Sequence, residues 1–285
     1  MLSYPQAIIL GLLQGVSELF PISSLGHSII LPGLLGWRLD QNANNFLTFL
    51  VATHFATALV LFVVYRRDWM RILKGMGRSL REREIKESNP DAKLGWLLIV
   101  GTIPAGIAGV LFEEQIKQFF LSPSAAAFFL AVNGILLYGA ECLRRNAAAK
   151  SAANTEARIV SKISWWQSVK VGIMQTIALI PGFSRTGATL AGGLIAGLSH
   201  EDALTFSFLL ATPIIGAAAL LKLPDLFLSG GSNAIGLAFA GAAAAAIAAY
   251  ASVRFLTKYF KTKTLTPFAV YCFIFGILSF VLLSA

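Results

Sequence analysis

Six apolar stretches of about twenty residues constrain this chain more than any other feature. They cover residues 46–65, 94–112, 124–143, 203–222, 234–256 and 266–284. A helix that crosses a bilayer needs about 20 mostly apolar residues, so each stretch is long enough to span it. Only 13% of the residues are charged, and the mean hydropathy is +0.71, which is too apolar for an ordinary soluble domain. The sequence therefore predicts an all-α polytopic membrane protein.

The basic residues lie between these predicted spans. The net charge of +9 comes mainly from three clusters, within residues 66–93, 144–170 and 254–263. The positive-inside rule places such clusters in the cytoplasm, where they also suit an anionic leaflet. Membrane topology thus accounts for the charge, and nucleic acid is not expected as a partner.

The two halves of the chain resemble each other. At a constant offset of 161 residues, six Gln, Ser and Gly residues recur. They are Gln6, Gly11, Gln14, Ser23, Gly26 and Gly36, which recur as Gln167, Gly172, Gln175, Ser184, Gly187 and Gly197. In each copy an apolar stretch of about 15 residues runs into a cluster of Pro, Ser and Gly, and a stretch of about 11 follows. Neither stretch comfortably spans the hydrocarbon, so each copy is predicted to be a re-entrant helical hairpin.

The charge map orients the two predicted hairpins. With the basic loops in the cytoplasm, the hairpin that breaks at residues 21–26 opens outward and the one that breaks at residues 181–187 opens inward. The prediction is an inverted-topology repeat with about six full spans, whose broken helices meet near the midplane and line a cavity. A single membrane domain, residues 1–285, then contains one repeat in 1–145 and the other in 146–285.

Four ionisable residues lie at membrane depth, where charge is costly and usually functional. They are Glu18, His27, His54 and Arg185. All but His54 lie in or beside the two breaks, and a single membrane histidine such as His54 is more often satisfied by a backbone carbonyl. Arginine offers a fork of donors for phosphate oxygens, and the helix that follows each break adds N–H groups at its N-terminus. The set therefore indicates a phosphate site.

Ser24 is the candidate nucleophile of this site. His27, three residues later, is positioned by the sequence as its base and as the acid for the leaving group. Glu18 and Gln14 lie one helical turn apart, on one face, and suit a divalent cation or a positioned water. The residues alone leave open whether Ser24 or a water attacks.

These motifs resemble those of the undecaprenyl-diphosphate phosphatase family, also called the bacitracin-resistance family. The similar segments are Gln14-Gly-Val-Ser-Glu18, Pro21-Ile-Ser-Ser-Leu-Gly-His27 and Pro181-Gly-Phe-Ser-Arg-Thr-Gly-Ala-Thr189. Their order and spacing run through the whole chain. The resemblance implies hydrolysis of undecaprenyl diphosphate to undecaprenyl phosphate and inorganic phosphate, which recycles the lipid carrier of peptidoglycan synthesis and gives bacitracin resistance.

The resemblance also implies roles for individual residues. The implied catalytic residues are Glu18, Ser24, His27 and Arg185, and the implied phosphate-binding residues are Ser23, Gly26, Ser184, Arg185, Thr186 and Thr189. A Mg²⁺ or Ca²⁺ is expected at Glu18 and Gln14. Many relatives have Glu at the position of Gln14 and Thr at the position of Leu25, so Glu18 is expected to carry more of the charge balance here.

The implied surroundings are the bacterial inner membrane, with a polyprenyl diphosphate as lipid substrate and a homodimer as one oligomeric option. The alternative function is a polyprenyl-phosphate flippase or transporter, because inverted repeats with broken helices are usual in secondary transport. A flippase needs the same anion site but no hydrolysis. Phosphate release by the purified protein therefore separates the two functions.

Overall fold

All regular secondary structure in the described part of the chain is helical. The computed structural model describes residues 2–37, 44–112, 122–150, 163–229 and 232–284. These residues form eleven α-helices: α1 Tyr4–Ser17, α2 Ser24–Leu34, α3 Asn44–Val64, α4 Arg66–Glu82, α5 Pro90–Leu111, α6 Pro123–Lys150, α7 Trp165–Thr176, α8 Arg185–Ile195, α9 His200–Ser229, α10 Ser232–Tyr259 and α11 Thr266–Ser284. A 3₁₀ turn, Ile177–Leu179, follows α7.

Five helices of the described residues are long and apolar enough to cross a membrane. They are Pro90–Leu111, Pro123–Asn146, His200–Ala219, Ala234–Tyr259 and Thr266–Ser284. These helices match five of the six predicted spans and confirm the prediction of an all-α polytopic membrane protein. The remaining stretch, residues 46–65, lies in α3 and passes the same test only together with α4, from which it is bent by 79°.

The basic segment after α3 forms helix α4, where the charge pattern alone suggests a connecting loop. One face of α4 is buried against α5 through Ile72, Gly75 and Ser79, which recur at helical spacing. Arg67 and Lys74 lie on an exposed face. A strongly amphipathic helix with a basic face, bent away from a membrane span, is typical of a helix that lies in the membrane interface. Of the second basic cluster, residues 151–162 lie outside the described residues.

Both predicted breaks are present. The first separates α1, of 14 residues, from α2, of 11 residues. The second separates α7, of 12 residues, and its 3₁₀ turn from α8, of 11 residues. A helix rises about 1.5 Å per residue, so none of these four helices crosses the hydrocarbon alone. The break positions agree with the sequence, while the re-entrant path and the repeat boundaries stay predictions.

The two halves begin with the same local structure. Ser3 caps α1 and forms a capping box with Gln6. Ser164 caps α7 and forms the same box with Gln167, again at an offset of 161 residues. In such a box each side chain binds the other residue's backbone N–H, which fixes the helix start. The shared start supports the relation between the halves, and their inverted orientation stays a prediction.

Each half also packs its first helix on a long helix through glycine. α1 packs on α10 where Gly11 faces the carbonyl of Gly241, and α7 packs on α5 where Gly172 faces the carbonyl of Gly101. A Cβ atom at Gly11 or Gly172 would overlap that carbonyl oxygen. Small residues allow such close approach between membrane helices. These close contacts fix the position of α1 along α10 and of α7 along α5.

The short helix α8 lies at the centre of the described fold. It packs against α6, α7 and α9, and every residue from Thr186 to Leu194 is buried. α9, which packs on it, carries two fully buried large side chains, Phe206 and Phe208. Burial on all sides places the start of α8, and with it Arg185, inside the protein.

Gly11→Ala is expected to lower the melting temperature of the purified protein in detergent. The added methyl group overlaps the Gly241 carbonyl, so the two helices must move apart. Overpacking of this kind costs roughly 1–3 kcal/mol.

Gly106→Ala is the matched control, because a Cβ atom there meets nothing within 4 Å. Its melting temperature should equal or exceed that of the wild type, since alanine favours helix over glycine. Equal melting temperatures for Gly11→Ala and Gly106→Ala would contradict the close contact between α1 and α10.

Candidate active site

The carboxylate of Glu18 is the point where the two breaks meet. Glu18 ends α1 and is only 6% exposed. Its Oε1 accepts a hydrogen bond from Arg185 Nη2 at 2.7 Å, and its Oε2 accepts one from Ser24 Oγ at 2.5 Å. The structure thus brings together the acid, the serine and the arginine that the sequence places in two distant segments.

Two further side chains lie beside the same carboxylate. Gln14 Nε2 donates to Glu18 Oε2 at 3.2 Å, as expected for residues one turn apart. His54 Nε2 lies 3.3 Å from the same oxygen, and His54 Nδ1 lies 2.7 Å from the Leu50 carbonyl. The sequence marks His54 as ionisable at membrane depth but does not indicate that α3 brings it to the first break. His54 therefore joins the candidate site.

A serine cap starts the helix that follows each break. Ser23 Oγ accepts the Gly26 N–H at 3.1 Å, and Ser184 Oγ accepts the Gly187 N–H at 3.0 Å. The first residues of these helices, Ser24 and Arg185, are again 161 positions apart. The N-terminal ends of α2 and α8 carry partial positive charge, which favours an anion nearby.

Glycines let the two breaks touch. A Cβ atom at Gly26 would lie 3.0 Å from Gly182 Cα, and Gly182 has a φ of +106°, which favours glycine. Gly26, predicted to bind phosphate, thus contributes to the approach of the two backbones in this structure.

Asn133 of α6 joins the backbones of both breaks. Its Nδ2 donates to the Pro21 carbonyl at 3.1 Å, and its Oδ1 accepts the Ser184 N–H at 3.1 Å. Asn133 is fully buried, so these backbone groups have no access to water. The sequence reasoning missed this residue, although an amide in the middle of an apolar span is a signal for it.

His27 has different partners from those expected. The sequence predicts that it acts as the base of Ser24, but Ser24 donates to Glu18 instead. His27 Nδ1 lies 2.7 Å from the Ser23 carbonyl, and His27 Nε2 lies 2.8 Å from the Tyr271 hydroxyl. Both ring nitrogens are therefore engaged away from Ser24. Tyr271 is the one aromatic residue of span 266–284 with a hydroxyl group, but the sequence does not indicate that this span reaches His27.

The predicted threonine ligands have partners inside the protein. Thr186 Oγ1 donates to the Glu18 carbonyl at 2.8 Å. Thr189 Oγ1 lies 2.5 Å from Ser207 Oγ and donates to the Arg185 carbonyl at 2.9 Å. Together with the two serine caps, these hydroxyls shape the site. Their contact with a phosphate stays a prediction.

Two atoms at the Glu18 cluster have no hydrogen-bond partner among the described residues. They are Arg185 Nη1, a donor, and Gln14 Oε1, an acceptor, and both are buried. Buried polar atoms are almost always hydrogen-bonded, so these two mark positions where a ligand would bind. The donor suits a phosphate oxygen, and the acceptor suits a cation or a hydroxyl group.

Few protein groups are available to hold a metal ion. The described residues contain no group of three or more His, Cys, Asp or Glu side chains arranged for one. The oxygens of Glu18 and Gln14 are the kind of ligand that Mg²⁺ and Ca²⁺ prefer, and Mg²⁺ often takes its other ligands from substrate phosphates and water. These residues fit a cation bound jointly with a phosphate.

The arrangement is suited to reaction at phosphorus. A serine hydroxyl donates to a buried carboxylate, which is the geometry of a nucleophile and its base. An arginine, one nitrogen of which has no partner within the described ranges, donates to the same carboxylate. Phosphoryl transfer depends mainly on positioning and charge neutralisation, and these groups supply both.

Comparison with known proteins shows the family of the chain. The family model of the bacitracin resistance protein BacA matches residues 7–278. The chain is 45% identical over 301 residues to an undecaprenyl-diphosphatase of Mycolicibacterium paratuberculosis, covering 99% of this chain and 98% of that protein. It is 43% identical over 280 residues to undecaprenyl-diphosphatase 2 of Chromobacterium violaceum, covering 95% and 96%. Undecaprenyl-diphosphatase 2 of Frankia alni is 39% identical over 334 residues, covering 97% of each chain. The chain belongs to the bacitracin resistance protein BacA family.

Proposed function

We propose that this protein hydrolyses undecaprenyl diphosphate to undecaprenyl phosphate and inorganic phosphate. The observation that carries the proposal is the junction of Ser24, Glu18 and Arg185, in which one buried arginine nitrogen has no partner in the described part of the chain. The names of the relatives support the same substrate. The apolar spans suit a substrate whose prenyl chain stays in the bilayer.

In the proposed first step Ser24 Oγ attacks the terminal phosphorus. Its proton passes to Glu18 Oε2, to which it is already hydrogen-bonded. The bond from that phosphorus to the bridging oxygen breaks, and undecaprenyl phosphate leaves. Arg185 Nη1 binds a phosphoryl oxygen while Nη2 stays on Glu18, so one guanidinium orients the base and stabilises the developing charge.

In the proposed second step a water hydrolyses phosphorylated Ser24 and releases inorganic phosphate. Glu18 carries the proton from the first step and returns it to Ser24 Oγ as the P–O bond breaks. His27 lies one turn beyond Ser24 on α2, and its Nε2 receives a proton through the Tyr271 hydroxyl, which donates its own proton to Nε2 as it takes one from the water. His54 adds a third nitrogen next to the Glu18 carboxylate, after those of Arg185 and Gln14, and supports its orientation.

A divalent cation belongs to this proposal. Glu18 and the unpartnered Gln14 Oε1 would hold it together with the diphosphate. The cation would neutralise charge on the phosphate oxygens, which a single arginine does only in part.

The proposed location is the bacterial inner membrane, with the basic segments in the cytoplasm. The relatives are bacterial proteins, and the described helices suit a multi-pass membrane protein. The exposed basic face of α4 supports this orientation, because positive loops are retained on the cytoplasmic side. The inverted arrangement of the halves and a homodimer belong to the same set of proposals.

The names of the relatives give no support to the alternative of a flippase. The hydrogen bond from Ser24 to Glu18 also favours hydrolysis, since transport requires an anion site but no activated nucleophile. Phosphate release from undecaprenyl diphosphate by the purified wild type tests the choice directly. Anion binding without release would favour transport.

Arg185→Lys is expected to fold and to lower kcat for phosphate release by roughly 10²-fold or more. Lysine keeps a positive charge beside Glu18 but lacks the fork that also reaches the phosphate. Phosphate release in detergent measures the effect. Arg254→Ala, on an exposed part of α10, is the control and should retain wild-type activity. Wild-type rates for Arg185→Lys would remove Arg185 from the reaction.

Ser24→Ala is expected to abolish phosphate release, because no group remains to receive the phosphoryl unit. Acid quenching of wild type during turnover should trap phosphate on Ser24. Ser252→Ala, which removes another buried hydroxyl from α10, should leave the rate unchanged. Substantial activity in Ser24→Ala would assign the attack to a water held by Glu18.

Gln14→Glu is expected to lower the Mg²⁺ concentration needed for half-maximal activity. The new carboxylate adds a negative oxygen beside Glu18, where the cation would bind. EDTA should stop the wild type, and added Mg²⁺ or Ca²⁺ should restore it. An unchanged Mg²⁺ titration would exclude position 14 from cation binding, and full activity in EDTA would exclude the cation itself.

A further inference from the structure

The hydrogen bonds of His27 determine where its ring carries a proton. Nδ1 lies 2.7 Å from the Ser23 carbonyl, and a carbonyl oxygen only accepts hydrogen bonds, so Nδ1 bears the hydrogen. In a neutral imidazole the other nitrogen is then an acceptor. The Tyr271 hydroxyl, 2.8 Å from Nε2, must therefore be the donor.

Helix α11 also fixes the plane of the imidazole. Tyr271 and Phe275 lie one turn apart on α11, and α11 packs against α2. The His27 ring lies nearly parallel to the rings of Tyr271 and Phe275, at centroid distances of 5.8 Å and 5.3 Å and interplanar angles of 8° in both cases. The ring is thus constrained at both nitrogens and across its plane, and it is only 4% exposed.

We propose that Tyr271 orients His27 and connects its Nε2 to the attacking water. By donating to Nε2 the hydroxyl helps the Ser23 carbonyl to keep the proton of the neutral ring on Nδ1, and it passes the proton of the water on to Nε2. The second hydrogen bond of a histidine commonly selects its tautomer in this way. The proposal rests on the proposed phosphatase function, in which Nε2 receives the proton of the attacking water through the Tyr271 hydroxyl.

Without the tyrosine hydroxyl, His27 would keep its place but lose the constraint at Nε2. Tyr271→Phe retains the aromatic ring beside His27 and removes the hydroxyl that donates to Nε2. Nε2 would then be a buried acceptor without this partner, and the ring would sample the other tautomer or rotate. The effect should appear in catalysis and not in substrate affinity, since Tyr271 acts through His27.

Nitrogen-15 NMR tests the tautomer independently of activity. The chain has three histidines, so selective histidine labelling gives few signals, and the substitutions His54→Gln and His200→Gln assign them. His27 of the wild type should show a protonated Nδ1 and an unprotonated, hydrogen-bonded Nε2. In Tyr271→Phe the Nε2 signal should shift. A protonated Nε2 in the neutral wild-type ring, or an unchanged signal in Tyr271→Phe, would overturn the proposal.

Kinetics test the consequence. Tyr271→Phe should lower kcat roughly tenfold with KM within about twofold, the pattern of an interaction that matters only in the transition state. Tyr138→Phe, at a 55% exposed position on α6, is the control and should match the wild type. In a His27→Gln background the loss of the Tyr271 hydroxyl should have no further effect.

Different results would contradict the role of Tyr271 and the proposed phosphatase function. An additional loss in the double variant, or an unchanged kcat in Tyr271→Phe, would show that Tyr271 does not act through His27. Absence of phosphate release from the wild type would remove the proposed function, while the NMR result would still decide the role of Tyr271 in setting the tautomer.

Discussion

The ion pair between Glu18 and Arg185 is the interaction on which the arrangement of the site depends. Its atoms lie 2.7 Å apart, and both side chains are largely buried. Removing two charges from water costs several kcal/mol per ion, and only good geometry with additional hydrogen bonds compensates. Glu18 receives those bonds from Ser24 and Gln14. The two halves therefore cannot separate at this point without leaving an uncompensated charge in an apolar interior.

The backbone N–H and C=O groups of the two breaks must also find partners inside the protein, as the buried charges do. Helix ends leave N–H and C=O groups unpaired, and the interior of a membrane protein offers little water to bind them. Side chains satisfy these groups here: the serine caps bind N–H groups of their own helices, Thr186 binds the Glu18 carbonyl, and Asn133 binds one group from each break. These hydrogen bonds thus order the backbone of both breaks.

Ser23 shows how local strain contributes to this order. Its φ of 71° lies in a region that residues other than glycine rarely adopt, at a cost of about 1–3 kcal/mol. The side chain of Ser23 caps Gly26, and its carbonyl accepts the Nδ1–H of His27. The unusual backbone thus directs one carbonyl at the imidazole.

The sequence predicts much of this organisation. It does not predict which helices, distant in the chain, come close together in the fold. The apolar spans, the two breaks and the residues Glu18, Ser24 and Arg185 follow from hydropathy, repeat spacing and the rarity of charge at membrane depth. Periodicity does not state which long helix a hairpin contacts, so the approach of His54, Asn133 and Tyr271 was not predictable. The pairing of Ser24 with Glu18 instead of His27 has the same origin, since α11 takes one nitrogen of His27 and the preceding turn takes the other.

The two halves share their pattern of helices but differ in the polar residues at equivalent positions. At the offset of 161 residues, Glu18, Ser24 and His27 correspond to Leu179, Arg185 and Ala188. The first copy thus provides a carboxylate, a serine and an imidazole, whereas the second provides an arginine at the position of the serine. Two related hairpins make one site instead of two. If the halves are inverted, such a catalyst acts only on lipid whose headgroup reaches one leaflet. The same headgroup on the other leaflet must first cross the bilayer.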